Sequence, residues 1–166
     1  VPTTLDEFHA MLTAMKNTDL NENGQNDEIA LTSYENTFMS YIVNAFLPCE
    51  VDSGKFTTIK DGVVSFGAST DEYREALRYM KQLFDEGLID EAAFTQTSSQ
   101  MSQIVSGETP MVGVFSVAGG IYGIDMTNEY AYSNYRLMMP LKTADGAQYA
   151  DMAVLVRTAF QTREFE

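Results

Sequence analysis

The chain has 166 residues, 45% of them hydrophobic and 20% charged, with 10 Phe, 9 Tyr and 10 Met. That is the composition of one folded domain with a real core, which excludes a disordered or low-complexity segment. Ten basic residues against 24 acidic ones give a formal charge of -14, which argues against nucleic acid or anionic lipid as partner, since both are held mainly by Lys and Arg.

Thr4 to Lys16 is expected to be a helix. Thr4 and Glu7 have the spacing of a capping box, and Leu5, Phe8, Leu12 and Met15 fall on one face. A polar loop from Asn17 to Glu28 follows, then a short apolar step, Ile29 to Leu31, read as a buried strand. A second helix is expected from Thr37 to Leu47, before Pro48. Lys55 to Phe66 reads as a hairpin turning at Asp61-Gly62. Ser69 and Glu72 are expected to cap a long helix, Asp71 to Glu86, with Tyr73, Leu77, Met80 and Phe84 as its core face and Gly87 as its glycine stop. A short helix (Ser99 to Ser106) and a buried strand (Met111 to Phe115) come next. A Gly-rich helical segment (Gly119 to Met126) and strands at Tyr135 to Met138 and Met152 to Val156 complete the pattern. No repeat or linker divides the chain, so residues 1–166 read as a single α/β lobe with helices around a small mixed sheet.

Cys49 is the one cysteine, so no internal disulfide forms, and a small buried hydrophobe is the expected role. No apolar run approaches the roughly 20 residues of a membrane helix. Opening on Val1-Pro2 and ending within a polar run at Glu166, the chain reads as a piece excised from a longer protein, so missing export signals carry no weight.

The run Asp19 to Glu28, DLNENGQNDE, carries the clearest chemistry. Calcium takes six to eight oxygen ligands from a loop curled around the ion. Asp19, Asn21 and Asn23 occupy positions one, three and five of an EF-hand loop. Gly24 supplies the turn at six, Gln25 a carbonyl at seven, and Asp27 stands at nine. Position twelve, which should hold a bidentate Glu, is Ala30, and Glu28 at position ten is the available substitute. A metal-free Asn/Gly-rich turn is the competing reading. Zinc is disfavoured, because His9 is the one histidine and lies outside the loop.

These residues carry a family resemblance. VPTTLDEFHAMLTAMKNTDLNENGQNDEIAL resembles a segment of the family 1 extracellular solute-binding proteins of bacterial ABC importers, notably lipoprotein-type members of Gram-positive bacteria. TDEYREALRYMKQLFDEGLIDEAAFTQ, MSQIVSGETPMVGVF and YRLMMPLKTADG resemble further segments of the family, in its order. The resemblance implies one lobe, the second, of a two-lobe periplasmic-binding-protein-like (type II) fold. It also implies a structural calcium held by Asp19, Asn21, Asn23, the Gln25 carbonyl, Asp27 and Glu28, which resolves the missing position twelve. A monomeric, extracellular, lipid-anchored (or periplasmic) receptor is implied, which passes a carbohydrate solute to an ABC permease without catalysis.

Solute would meet aromatic and polar groups at strand ends, where rings stack on sugars and hydroxyls or amides read their edges. Two such places are expected: Ser33, Tyr34 and Asn36 (with Glu35 between them), and Phe115 and Ser116 with Tyr122 nearby in sequence. With no Trp in the chain, Tyr and Phe would supply any stacking. Core packing is the competing reading for each aromatic. At the level of function, a calcium-stabilised surface adhesion module and a fragment of a glycan hydrolase remain as alternatives. No acid/base carboxylate pair stands out for the hydrolase.

Overall fold

A computed structural model describes residues 1–51, 54–107, 111–117, 135–149 and 153–157, without the side chains of Lys60 and of 153–157. The first helix, α1 (Leu5–Lys16), starts at the expected cap. Thr4 Oγ1 accepts the Glu7 N–H at 3.2 Å, and the Glu7 carboxylate accepts the Thr4 N–H at 3.3 Å. Its buried stripe is Phe8, Met11, Leu12 and Met15, with Leu5 only partly covered.

After the polar loop, β1 (Ile29–Ser33) enters a four-stranded sheet. Running parallel to β1, β4 (Val112–Val117) is buried at all six positions. The order is β1-β4-β6-β5, with β5 (Tyr135–Met138) and β6 (Ala153–Arg157) pairing antiparallel to each other and β6 antiparallel to β4. A mixed sheet with helices around it is the expected architecture. The strand near Met111 runs later than its apolar core suggests, so Ser116 lies inside β4 and not beyond it.

Helices cover both faces of the sheet. On one, α1, α2 (Phe38–Val43) and α3 (Asp71–Asp85) build a cluster around Phe8, Phe38, Ile42, Ala76, Leu83 and Val114. On the other, Met101 and Val105 of α4 (Ser98–Val105) pack with Phe115, Val117 and Tyr135. The first layer sits close: a Cβ on Gly113 of β4 would lie 2.5 Å from Met15 Sδ of α1.

Three local expectations are corrected. The second helix ends at Val43 rather than Leu47, because the Asn44 side chain donates to Ser40 O at 2.8 Å and accepts the Cys49 N–H at 3.2 Å, turning the chain early. Thr70, not Ser69, caps α3: Thr70 Oγ1 accepts the Tyr73 N–H at 3.2 Å, while the Ser69 hydroxyl donates back to Phe66 O. The buried stripe of α3 is Tyr73, Ala76, Met80 and Leu83, whereas Leu77 and Phe84 are 44% and 40% exposed. Phe84 instead meets the half-open ring of Phe94 edge-on.

Other signals hold. The hairpin β2 (Thr57–Lys60) and β3 (Val63–Phe66) pairs Lys60 with Val63 across Asp61 and Gly62, both left-handed at φ 52° and 76°. That is the geometry a two-residue primed turn needs. Gly87, at φ 67°, ends α3, and the Leu88 N–H donates to Leu83 O at 2.8 Å in a Schellman closure. Cys49 is buried. The Gly119 to Met126 segment lies outside the described residues. Among the described residues, no helix is long and apolar enough to cross a membrane.

Candidate functional site

The loop between α1 and β1 is organised by its own acceptors. Asp19 closes it, with Oδ1 accepting the Asn23 N–H at 3.1 Å and Oδ2 the Gly24 N–H at 2.7 Å. Asn21 Oδ1 accepts the same Asn23 N–H at 3.0 Å, and Asn23 Oδ1 accepts the Gln25 N–H at 2.7 Å. Asn23 Nδ2 lies 3.4 Å from both carboxylate oxygens of Asp27. Left-handed backbone at Glu22 (φ 60°) and Gly24 (φ 81°) makes the sharp bend possible. Glu28 reaches back from the foot of β1, and its Oε1 accepts the Leu20 N–H at 2.7 Å. Its Oε2 is buried and has no partner among the described residues.

The side chains of Asp19, Asn21, Asn23, Asp27 and Glu28 therefore belong to one small turn, with Gln25 in its backbone. Each carboxylate or amide oxygen already holding an N–H keeps a further lone pair. The set is one of hard oxygen donors, which suits calcium and not zinc. Among the described residues no three Asp, Glu, His or Cys side chains converge on one point. A cation here would thus depend on the Asn and carbonyl oxygens as much as on carboxylates.

The second set of residues lies at the opposite end of β1. Because β1 and β4 are parallel and in register, Ser33 stands directly beside Ser116, and Thr32 beside Phe115. The two expected strand ends are thus brought together, but less openly than their sequence suggests. Ser33, Phe115 and Ser116 are all fully buried. Phe115 is corrected from stacking surface to core: its ring packs edge-on against Tyr135 at 4.9 Å. Tyr34 is half-buried against the same cluster, and Asn36 is exposed. Tyr122 lies outside the described residues.

Four residues missed in the sequence, Gln96, Thr32, Asp90 and Thr37, complete this end. Gln96 is buried and donates from Nε2 to Thr32 Oγ1 at 2.7 Å and to Ser33 O at 2.5 Å. Thr32 in turn donates to Asp90 Oδ2 at 2.9 Å. Thr37 Oγ1, at the start of α2, donates to Ser116 O at 3.2 Å. Ser116 Oγ itself is buried without a partner among the described residues. Only the FTQ tail of the long helix-and-exit motif hinted at Gln96, and nothing local ties it to Thr32.

No family model matches the chain. Over 118 residues it is 33% identical to a fructooligosaccharide ABC transporter substrate-binding protein, FusA, of Streptococcus pneumoniae serotype 4. That match covers 69% of this chain and 21% of the relative, so the matched stretch spans about a fifth of the relative's length. An HMO-binding, ABC-transporter-associated solute-binding protein from Bifidobacterium longum infantis superposes with a TM-score of 0.67 at 20% identity, over 95% of this chain and 36% of that one. An EF-hand mutant of S. pneumoniae FusA in complex with fructo-nystose gives 0.62 at 20% identity, over 97% and 34%. At such identities the superpositions speak for the fold alone, that of one lobe of a solute-binding protein. Taken with the sequence match, they place this chain, as a partial-length member, in the substrate-binding protein family of ABC transporters.

Proposed function

We propose that this lobe forms one wall of an oligosaccharide site in an extracellular receptor that delivers its solute to an ABC permease. One observation carries the reading: with Ser33 set beside Ser116 by the parallel register, the half-buried Tyr34 and the exposed Asn36 follow directly at the carboxyl-terminal edge of the sheet. Carboxyl-terminal ends of strands are where α/β crevices take ligands. The solute class is supported by a relative named for fructooligosaccharides and by a fold shared with a protein named for HMO binding. Membrane attachment through a lipid anchor belongs to the same reading.

The Asp19–Glu28 loop is proposed to hold a structural calcium through Asp19, Asn21, Asn23, the Gln25 carbonyl, Asp27 and Glu28. The partnerless Glu28 Oε2 supports this, as does the EF-hand named in the FusA mutant of the same fold. The ion would brace the foot of β1, remote from the solute at its head.

Calorimetry of the full-length protein against kestose, nystose and human-milk oligosaccharides tests the receptor reading. Saturable binding with the sugar recovered intact is expected. Release of monosaccharide would favour a glycan hydrolase. Silence across the panel would leave the adhesion module standing.

A further inference from the structure

Two adjacent non-glycine residues in the candidate ligand loop hold left-handed backbone, and the first of them has a side chain that disfavours it. Glu35 (φ 45°) and Asn36 (φ 56°) are both left-handed. Asn tolerates that region, but Glu does not favour it, and consecutive non-glycine residues there are unusual. Such backbone persists only where its surroundings over-determine it, and it concentrates at ligand sites.

The surroundings here are one short segment. The Glu35 N–H donates to Gln96 O at 3.1 Å and the Asn36 N–H to Ala93 O at 2.9 Å. Ser33 Oγ donates to the same Ala93 carbonyl at 3.1 Å, and Gln96 Nε2 holds Ser33 O from the other side. The segment is itself fixed. Asp90 Oδ1 caps its turn through the Ala92 N–H at 3.1 Å, and the Asp90 N–H donates to Leu31 O at 2.9 Å. Asp90 Oδ2 also accepts the Thr32 hydroxyl. Every hydrogen-bonding group named sits on the sheet edge or its immediate neighbour, so the loop is gripped by rigid structure.

We infer that Asp90–Gln96 is a positioning clamp, which holds the Ser33–Asn36 loop in a strained, preorganised turn for an oligosaccharide. The inference rests on the receptor reading for its ligand, but not for its mechanics. Preorganisation raises affinity by removing the ordering cost from the binding step. In a linking turn without that role, relaxing the strain would leave oligosaccharide affinity unchanged. Neither Asp90 nor Gln96 need touch the solute.

The test uses the full-length protein with Glu35→Gly, which relieves the left-handed strain at an exposed position, and Gln96→Met, which keeps bulk but removes both donations. Melting temperature, amide hydrogen exchange over residues 33–36 and kestose affinity are read together. Glu35→Gly should leave melting unchanged or raised, speed exchange in the loop and weaken kestose binding about tenfold, or 1.4 kcal/mol. Gln96→Met should speed exchange at Glu35 and Asn36 while the α1 amides stay protected. Loop exchange untouched by Gln96→Met, or affinity untouched by Glu35→Gly, overturns the clamp. If the unmodified protein binds no oligosaccharide, the receptor reading fails. Exchange and melting then still decide whether the segment holds a strained turn.

Discussion

Glu28 and Leu20 are joined across the polar loop, the Glu28 Oε1 accepting the Leu20 N–H at 2.7 Å while Oε2 of the same carboxylate is buried without a partner. One oxygen closes the loop and the other has no partner among the described residues. Burying a carboxylate oxygen unsatisfied is costly, and a bound calcium would remove that cost. Calcium should therefore raise the melting temperature, by about 2.7 kcal/mol of stability at a hundredfold excess over its Kd, and a chelator should reverse it. Glu28→Gln, which retains an acceptor for Leu20 but loses the charge, should abolish most of the shift. Identical melting curves in calcium and in chelator would remove the metal from this loop.

Ser116 presents the same problem at the other end of the sheet. Its hydroxyl is fully buried and unpartnered among the described residues, on the residue directly beside Ser33 in the sheet. An unsatisfied buried hydroxyl costs about 1–3 kcal/mol. Ser116→Ala should accordingly stabilise the protein, by about 1 kcal/mol, read as a raised denaturant midpoint at unchanged slope. A loss of stability on substitution would mean that the hydroxyl is already satisfied and would sink the idea.

What was legible in the sequence was what neighbours along the chain decide. The Thr4/Glu7 box, the Asp61-Gly62 turn and the Gly87 stop each work within a few residues, and each is found in place. The rotation of α3 was not legible, because Leu77 and Phe84 form as good an apolar stripe as Ala76 and Leu83. Only the layer packed against the helix chooses between them. The same holds at the candidate site. The loop residues Asp19 to Glu28 announce themselves by spacing. The burial of Phe115 depends on Tyr135, and the grip of Gln96 on Thr32 spans 64 positions.

Gly113 is required by the approach of α1 to the sheet. A Cβ there would stand 2.5 Å from Met15 Sδ, 3.2 Å from Met15 Cγ and 3.2 Å from Ala30 O. Met15 is fully buried and has little room to withdraw, and the carbonyl belongs to β1. Gly113→Ala should cost about 1–3 kcal/mol through overpacking, read as a lower denaturant midpoint at unchanged slope. Trimming Met15 to Ala in the same protein should lessen the penalty of the Gly113 substitution, since the two share one space. Strict additivity of the two changes would refute that explanation.

Glu86 ties the end of α3 to α1: His9 Nε2 lies 2.5 Å from Glu86 Oε2, and Gln82 Nε2 donates to Oε1 at 3.0 Å. Lys16 Nζ adds donations to Glu86 O and Gly87 O at 2.8 and 3.1 Å. The Gln82 hydrogen bond first, and then His9, hold the Glu86 carboxyl below its ordinary 4.5. A carboxylate whose pKa is depressed by folding stabilises the native state above its unfolded pKa, and that contribution fades as pH falls through the depressed value. Wild type should therefore melt above Glu86→Gln at neutral pH, with the gap constant down to about pH 5 and closing below 4.5. Because the carboxylate is solvent-exposed, the gap itself should be small. Paired melting curves from pH 7 to pH 3 measure it, and a gap that widens on acidification would show that Glu86 does not act through its charged form.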